Sequence, residues 1–414
     1  MIHKLSLESP ERTSAAPART SQPGNPAQIW LTHTLSDFNN FWPRSQQLKA
    51  ARCYAFQCAD ILEVRCKTIA LARKIETLFV AVLDAERNPL MLLPLGIERR
   101  HGVRILTFLD GGLSDYNSPV VFTGVRGWAE DDVRMLWRGL QEILPPFDIA
   151  ILDKMPECIG DLPNPLILLD TSPFPSSGHA ITLSGTWSEF EASRLPGSRK
   201  HRRYYHRRLE GRGKLTFEIA TNPEQFDTFL QALIRQKIRR HRETRTIAGF
   251  DQPGYQNFVT EATHCLPTPY PIHLSALKLD DTIIAAHWGY VVGSRFYGLI
   301  VSYEGGTWRT FSLGHILTEY LLKWSFAQGI EVFDLGVGDE AYKFHYCDVM
   351  IPLHVATIPV TFRGIAYSMA LNITEKLKRS LRGTRAGEML KSIVRRRPSS
   401  GKVAYKEGWA KTCS

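Results

Sequence analysis

The sequence contains no apolar run approaching the roughly 18 to 20 residues that a bilayer-spanning helix needs. Cys-x-x-Cys pairs are missing too: Cys53, Cys58, Cys66, Cys158, Cys265, Cys347 and Cys413 are scattered and odd in number. That spacing argues against a zinc or disulfide framework and reads as reduced, mostly structural thiols, with no metal in the chemistry. The first residues lack the apolar core of a secretory signal; residues 1–28, rich in Ser, Ala, Pro and Thr, read as a disordered leader. The expectation is a soluble, cytoplasmic chain.

Excess positive charge is absent from most of the chain as well. The segment from Arg363 to Ser414 holds 13 Lys/Arg against 3 acids, which accounts for the whole net charge of +10. A neutral body argues against a globally basic nucleic-acid binder. Residues 366–414 read as a basic tail with apolar stretches at Met369–Leu377 and Met389–Val394. Two readings stay open for it: a solvated tail, or an amphipathic helix in peripheral contact with the inner face of a membrane.

What the 414 residues do hold is one order of elements, twice. In the first half a helix is expected over Leu35–Leu48. A meander follows over Leu78–Leu83, Leu90–Ile97 and Arg104–Leu109, then a loop (Asp110–Pro119). A helix with Val133, Leu136, Trp137, Leu140 and Leu144 on one face and a strand at Phe147–Leu152 complete the set. In the second half Pro223 starts a helix, and the meander is His273–Leu279, Thr282–Val292 and Arg295–Val301, with Gly293-Ser294 as a type II′ turn. A loop, the helix Leu313–Gln328, the strand Glu331–Leu335 and a further strand over Pro352–Phe362 follow. Prolines crowd between Pro156 and Gly178, which reads as the linker. The expected fold is α/β (α+β): two similar modules, 29–165 and 166–365, each a mixed, mainly antiparallel sheet flanked by helices.

The stretch Arg295–Asp348 carries the strongest chemical signal. Leu313, Ile316, Leu317, Tyr320, Leu321 and Trp324 form one apolar helical stripe, with Ser312 at the N-cap position. Free N–H groups near Arg309, Ser312 and Gly314 would make an anion site, suited to the phosphates of a coenzyme. A plain capped helix start would use the same residues.

At these residues the chain resembles the GNAT acyltransferase superfamily. More narrowly, it is similar to the cellulose-biosynthesis-associated (CelD-like) acetyltransferases, which are related to the Fem-type peptidyltransferases with tandem GNAT-like modules. The resemblance rests on Gly111–Asn117, the basic run Arg199–Arg208 with Leu209 and Gly211, Ala285–Gly289, Ser312-Leu313-Gly314 and Asp334–Lys343. It implies an acyltransferase using acetyl-CoA or another acyl-CoA, linked to cellulose or exopolysaccharide production. It also implies a diphosphate loop of Arg309, Thr310, Phe311, Ser312, Leu313 and Gly314, with Ser312 where the family has a middle glycine. The carbonyl donor would be a main-chain amide of the Arg295–Val301 strand.

Acyl transfer also needs a base for the acceptor and an acid for the leaving thiolate. Asp339 and Glu340, after a strand end, are the leading base candidates, although a solvated loop pair would look the same. His287 lies in an apolar strand, where a core histidine is the plainer reading, yet it titrates in the right range. Tyr342 is a candidate acid; Lys343 is a candidate for binding phosphate or acceptor. Asp115, Tyr116 and Asn117 are candidate acceptor ligands or a turn-forming cluster. The run Arg199–Lys214, with Tyr204 and Tyr205, and the second basic face from Arg235 to Arg245 suit an anionic acceptor or coenzyme phosphates. The alternatives to acyl-CoA chemistry are an aminoacyl-tRNA-dependent transferase and a silent scaffold of a polysaccharide-synthesis complex.

Overall fold

The computed structural model describes residues 28–48, 50–194, 199–244, 249–266 and 271–381. The expected leader (save Gln28), residues 382–414 of the basic tail, and Arg245 of the second basic face lie outside the described residues. Two sheets organise the rest. The first runs, in order of pairing, Gln28–Thr32, Glu76–Leu83, Pro89–Arg100, Val103–Phe108, Ile149–Pro156, Leu353–Pro359 and Thr171–Pro173. The second runs Leu215–Ile219, Ile272–Leu279, Thr282–Val292, Arg295–Tyr303, Val332–Val337, Gly178–Thr182 and Val349–Ile351. The tandem α/β arrangement expected from the repeated element order is the observed one.

Each sheet is antiparallel except at one place. In the first, Val103–Phe108 and Ile149–Pro156 are parallel, registered only at Ile105↔Ile149 and Leu106↔Ala150. In the second, Arg295–Tyr303 and Val332–Val337 are parallel only at Arg295↔Val332, Phe296↔Phe333 and Tyr297↔Asp334. Beyond these pairs the strands part, and the connection between them is a helix on one face: Glu130–Ile143 in the first module, Leu313–Ala327 in the second. Parallel neighbours need such a crossover, which is why the pattern strand–loop–helix–strand appears twice.

Two expectations fail in detail. The helix over Leu35–Leu48 does not form: Leu35–Phe38 makes one 3-10 turn, and Pro43 cannot continue a helix. The helix of this region is Ala59–Arg65, prolonged by a π-helical turn at Cys66–Ala70 and by Leu71–Arg73. Secondly, the strand expected at the end of the second half, Leu353–Pro359, pairs with Ile149–Pro156 and Thr171–Pro173 of the first sheet. The helix Phe362–Leu381 follows it, with Tyr367 packed on Val103, Ile105 and Ile149, while Phe362, Met369 and Ile373 stay exposed.

The modules meet across a shared aromatic core. Phe56 lies edge-on to Tyr290 and Tyr297, with ring centroids 6.0 and 5.6 Å away, and Trp288 and Phe258 join the same cluster. Beside it Arg295 holds buried Asp334 through Nε at 2.9 Å, and the Tyr116 hydroxyl donates to the other carboxylate oxygen at 2.9 Å. Gly178 lies against the Tyr116 ring so closely that a Cβ there would come within 2.5 Å of it.

Candidate active site

The strand Arg295–Tyr303 ends in a 3-10 turn, Gly306–Phe311, and the helix Leu313–Ala327 begins at the mouth of the strand divergence. Ser312 occupies the N-cap position, but in a left-handed conformation (φ 51°) and with no side-chain hydrogen bond to the helix. The hydroxyl cap read from the sequence is therefore absent, and the amides of Leu313 and Gly314 lie in the turn where a helix has no acceptor of its own. Gly314 is not demanded by the protein's own packing. A Cβ there would meet only the Tyr303 ring, at 3.8 Å, an ordinary contact.

The surroundings of this helix start are cationic. The guanidinium groups of Arg208 and Arg212 lie 4.5 and 4.6 Å from the centroid of buried Phe311, and Arg208 donates to the Thr310 carbonyl at 3.3 Å. Arg309 is half exposed and pairs with Glu243 at 2.6 Å. Arg239 donates to the Tyr303 carbonyl, and Arg240 lies over the Tyr303 ring. Both basic faces seen in the sequence thus converge on one loop. Arg208, in the helix Arg199–Glu210, and Arg212, just after it, are held there by stacking on Phe311.

The corresponding helix of the first module has the opposite character. Its first turn carries Glu130, Asp131 and Asp132, and the Asp132 carboxylate accepts from the Ala129 amide at 2.9 Å. Protein carboxylates already occupy that positive end, so a phosphate would be repelled. The first turn of Leu313–Ala327 holds no acidic residue. The gap between the parting strands of the first module is also closed. The Asn117 amide donates to the Lys154 carbonyl at 3.0 Å, and Lys154 is itself locked onto Asp110 at 2.5 Å. Among the described residues, the helix start of the second module is cation-lined and free of acids beside its diverging strands.

The loop after Val332–Val337 forms the other wall. Asp339 is partly exposed, and its Oδ1 accepts from the Ser177 amide at 3.2 Å and lies 3.0 Å from His179 Nε2. Glu340 is buried beside Lys343, whose ammonium lies 3.0 Å from its Oε2 and donates to the Gly336 carbonyl at 3.0 Å. Lys343 is thus consumed inside the loop, and a buried, paired Glu340 is a brace where the sequence offered a base. The rings of Tyr342 and Tyr346 lie 6.3 and 6.0 Å from that of His315, in the first helical turn. Burial first, and then the charge of Glu340, pushes the Tyr342 hydroxyl far above its ordinary range. A group so far above the thiol range of about 8.5 suits hydrogen bonding to sulfur better than proton transfer to it.

Other expected site residues are elsewhere. His287 is fully buried between His273 and Phe296, and neither ring nitrogen has a partner among the described residues. Burial, with His273 adding to it, lowers its pKa well below the usual value, and the ring is enclosed in the sheet, as the core-histidine reading has it. Tyr116 and Asn117 are also fully buried, Tyr116 on Asp334 and Asn117 on Asp110 and Asp153. Asp115 is buried against Gly336. Asp115 and Tyr116 seal the module contact and Asn117 closes the first module's own strand gap, so none of the three faces an open cleft. The sequence reading missed His179, because only the antiparallel pairing of Gly178–Thr182 with Val332–Val337 brings it to Asp339.

Residues 197–344 match the family model described as an acetyltransferase (GNAT) domain, which spans the open helix start and the loop opposite it. No curated protein matches the sequence. Among solved structures, a conserved protein of unknown function from Bacteroides thetaiotaomicron is similar over 80% of this chain and 100% of its own, at 11% identity and a TM-score of 0.49. FemX is similar over 73% of this chain and 92% of its own, at 11% identity and a TM-score of 0.47. A tandem GNAT protein from the clavulanic acid biosynthesis pathway is similar over 80% and 98%, at 10% identity and a TM-score of 0.40.

Proposed function

We propose that the second module is an acyl-CoA-dependent acyltransferase that moves an acetyl or similar group to an amine or hydroxyl. The observation that carries this reading is the uncapped, acid-free start of the Leu313–Ala327 helix beside the diverging strands. The amides from Ser312 to Gly314 would take the diphosphate, with Arg309, Arg208 and Arg212 supplying charge. The thioester would lie along the unpaired part of Arg295–Tyr303, whose main-chain amides would polarise its carbonyl.

Asp339, held by His179, is the base of this proposal, being the carboxylate of its loop with an exposed face. It takes the proton from the acceptor as nitrogen or oxygen attacks the carbonyl carbon. The carbon–sulfur bond then breaks, and the departing sulfur receives a hydrogen bond from Tyr342. A link to cellulose or exopolysaccharide production is a finer proposal resting on family resemblance, as is membrane contact through the helix Phe362–Leu381 and the residues after it.

Titration calorimetry with acetyl-CoA and, separately, with tRNA tests the reading. It requires saturable acetyl-CoA binding. Binding of tRNA alone would replace it with aminoacyl transfer, and binding of neither would leave a scaffold.

A further inference from the structure

Cys53 and Cys58 are brought together by the shape of the chain between them. Ala55–Gln57 is a 3-10 turn flanked by Tyr54 and Cys58, and the Cys58 amide donates to the Ala55 carbonyl at 3.1 Å. So tight a turn folds the segment back on itself, and the two sulfurs meet at 3.9 Å. Both thiols are free. Cys58 is fully buried, whereas Cys53 is half-buried, between the module contact and the core of the first module. The Cys53 thiol, and then burial, hold the Cys58 thiol far above its ordinary range. Cys58 therefore stays protonated, and Cys53, which keeps some exposure, is the one a small oxidant meets first.

The four residues inside this loop carry much of the first module's side of the module contact. The Tyr54 ring lies 4.7 Å from that of Tyr116, with the Arg295 guanidinium 5.2 Å over it. The Ala55 amide donates to the Tyr297 hydroxyl at 3.3 Å. Phe56 packs edge-on to Tyr290 and Tyr297, and Gln57 Nε2 donates to the Tyr116 carbonyl at 3.0 Å. A bond between the sulfurs would close a ring around this segment and restrict it where it grips the second module.

We propose that Cys53 and Cys58 are an oxidative modification site: hydrogen peroxide oxidises Cys53, and Cys58 then closes a disulfide that fixes Tyr54–Gln57 against the second module. In the first step the Cys53 sulfur attacks one peroxide oxygen and the O–O bond breaks. Sulfur is oxidised to a sulfenic acid, and the other oxygen is reduced and leaves as water with the thiol proton. In the second step the Cys58 sulfur attacks that of Cys53, the S–O bond breaks, and the departing hydroxide takes the Cys58 proton and leaves as water. The sulfurs close from 3.9 Å to about 2.05 Å. This chemistry is independent of acyl transfer.

The test exposes the full chain to hydrogen peroxide, denatures it in iodoacetamide and maps tryptic peptides without reductant. Cleavage after Arg52 and Arg65 leaves both cysteines in one peptide, residues 53–65, apart from Cys66. That peptide is expected unlabelled and lighter by two hydrogen atoms, with labelling of both thiols regained after reduction. Cys58→Ser should stop the reaction at the Cys53 sulfenic acid, which dimedone traps, and Cys53→Ser should leave Cys58 fully labelled. Two labelled thiols in the treated wild type, or a Cys53 sulfenic acid that persists with Cys58 beside it, would make them a packing pair; neither result needs a variant to fold. Exchange of the Ala55 amide reports its bond to Tyr297 and should slow roughly 10-fold on oxidation, as closing so short a loop implies. A disulfide that leaves this exchange unchanged would overturn the hold on the module contact.

Discussion

Replacing Gly314 by alanine should move stability and coenzyme affinity in opposite directions. The residue lies in the first turn of the Leu313–Ala327 helix, outside the left-handed region, and an added Cβ meets only the Tyr303 ring at 3.8 and 4.0 Å. The protein itself therefore accepts the methyl. Alanine stabilises a helical position over glycine by about 0.5–1 kcal/mol, less at a terminus, so the ligand-free melting temperature should hold or rise by roughly 1–2 °C. A diphosphate bound to these amides would meet the same methyl where it needs contact. Losing one charge-assisted hydrogen bond costs about 1.5–3 kcal/mol, a 10- to 100-fold weaker Kd for acetyl-CoA. Calorimetry and ligand-free melting curves on the two proteins read both quantities. Unchanged affinity would show that the diphosphate is bound elsewhere, and the site assignment would fall. Valine at the same position should weaken binding further.

Three other substitutions or conditions probe the remaining structure. Asp339→Asn should slow thiol release from acetyl-CoA with an acceptor amine by about 10²–10⁴-fold, with acetyl-CoA affinity nearly intact; undiminished turnover would exclude Asp339 as the base. Gly336→Ala should destabilise the chain by about 2–3 kcal/mol. Its φ is +71° and its Cβ would come 2.3 Å from Asp115 Oδ2, so a melting curve like wild type would contradict the module contact. Acid should weaken the fold before carboxylates titrate. Burial lowers the pKa of His273 to about 3 and that of His287 also well below 6.5, so the unfolded chain takes up protons that the native chain refuses. The His273 contribution is full above pH 6.5 and is lost as pH falls toward 3, at about 1.4 kcal/mol per unit, and His287 acts in the same direction. Denaturant midpoints at pH 7.5 and 5.5 should therefore differ, and His287→Leu should narrow the difference.

Much of the architecture was legible because the meanders obey local rules. Thr282–Val292 and Arg295–Tyr303 meet at a two-residue turn with Gly293 at φ 57°, as the Gly-Ser pair requires. The Leu313–Ala327 helix followed from its stripe. What failed was non-local. Nothing within Leu353–Pro359 says which sheet it joins, since its partner is some 200 positions away. Asp115, Tyr116 and Asn117 looked like cleft residues because turn chemistry and ligand chemistry use the same polar side chains; the second module covers Asp115 and Tyr116, and the first module's own strand encloses Asn117. His179 bears no motif and acquires meaning from a neighbour distant in sequence, Asp339.

The contrast between the modules explains why a chain would keep two copies of one architecture. At the first helix start three acids exclude an anion, and the parting strands are plugged by Asn117 and Lys154. What the first module supplies is a packing surface: Phe56 and Tyr116 reach across to Tyr290 and Asp334. The strand Leu353–Pro359 then ties the end of the second module into the first sheet, so the two cannot drift apart without losing a row of ladder hydrogen bonds. A cleft for a small acceptor needs two walls held at fixed spacing. In the proposed reading one wall is the diverging strand Arg295–Tyr303, and the first module, held against it through Phe56 and Tyr116, is the other.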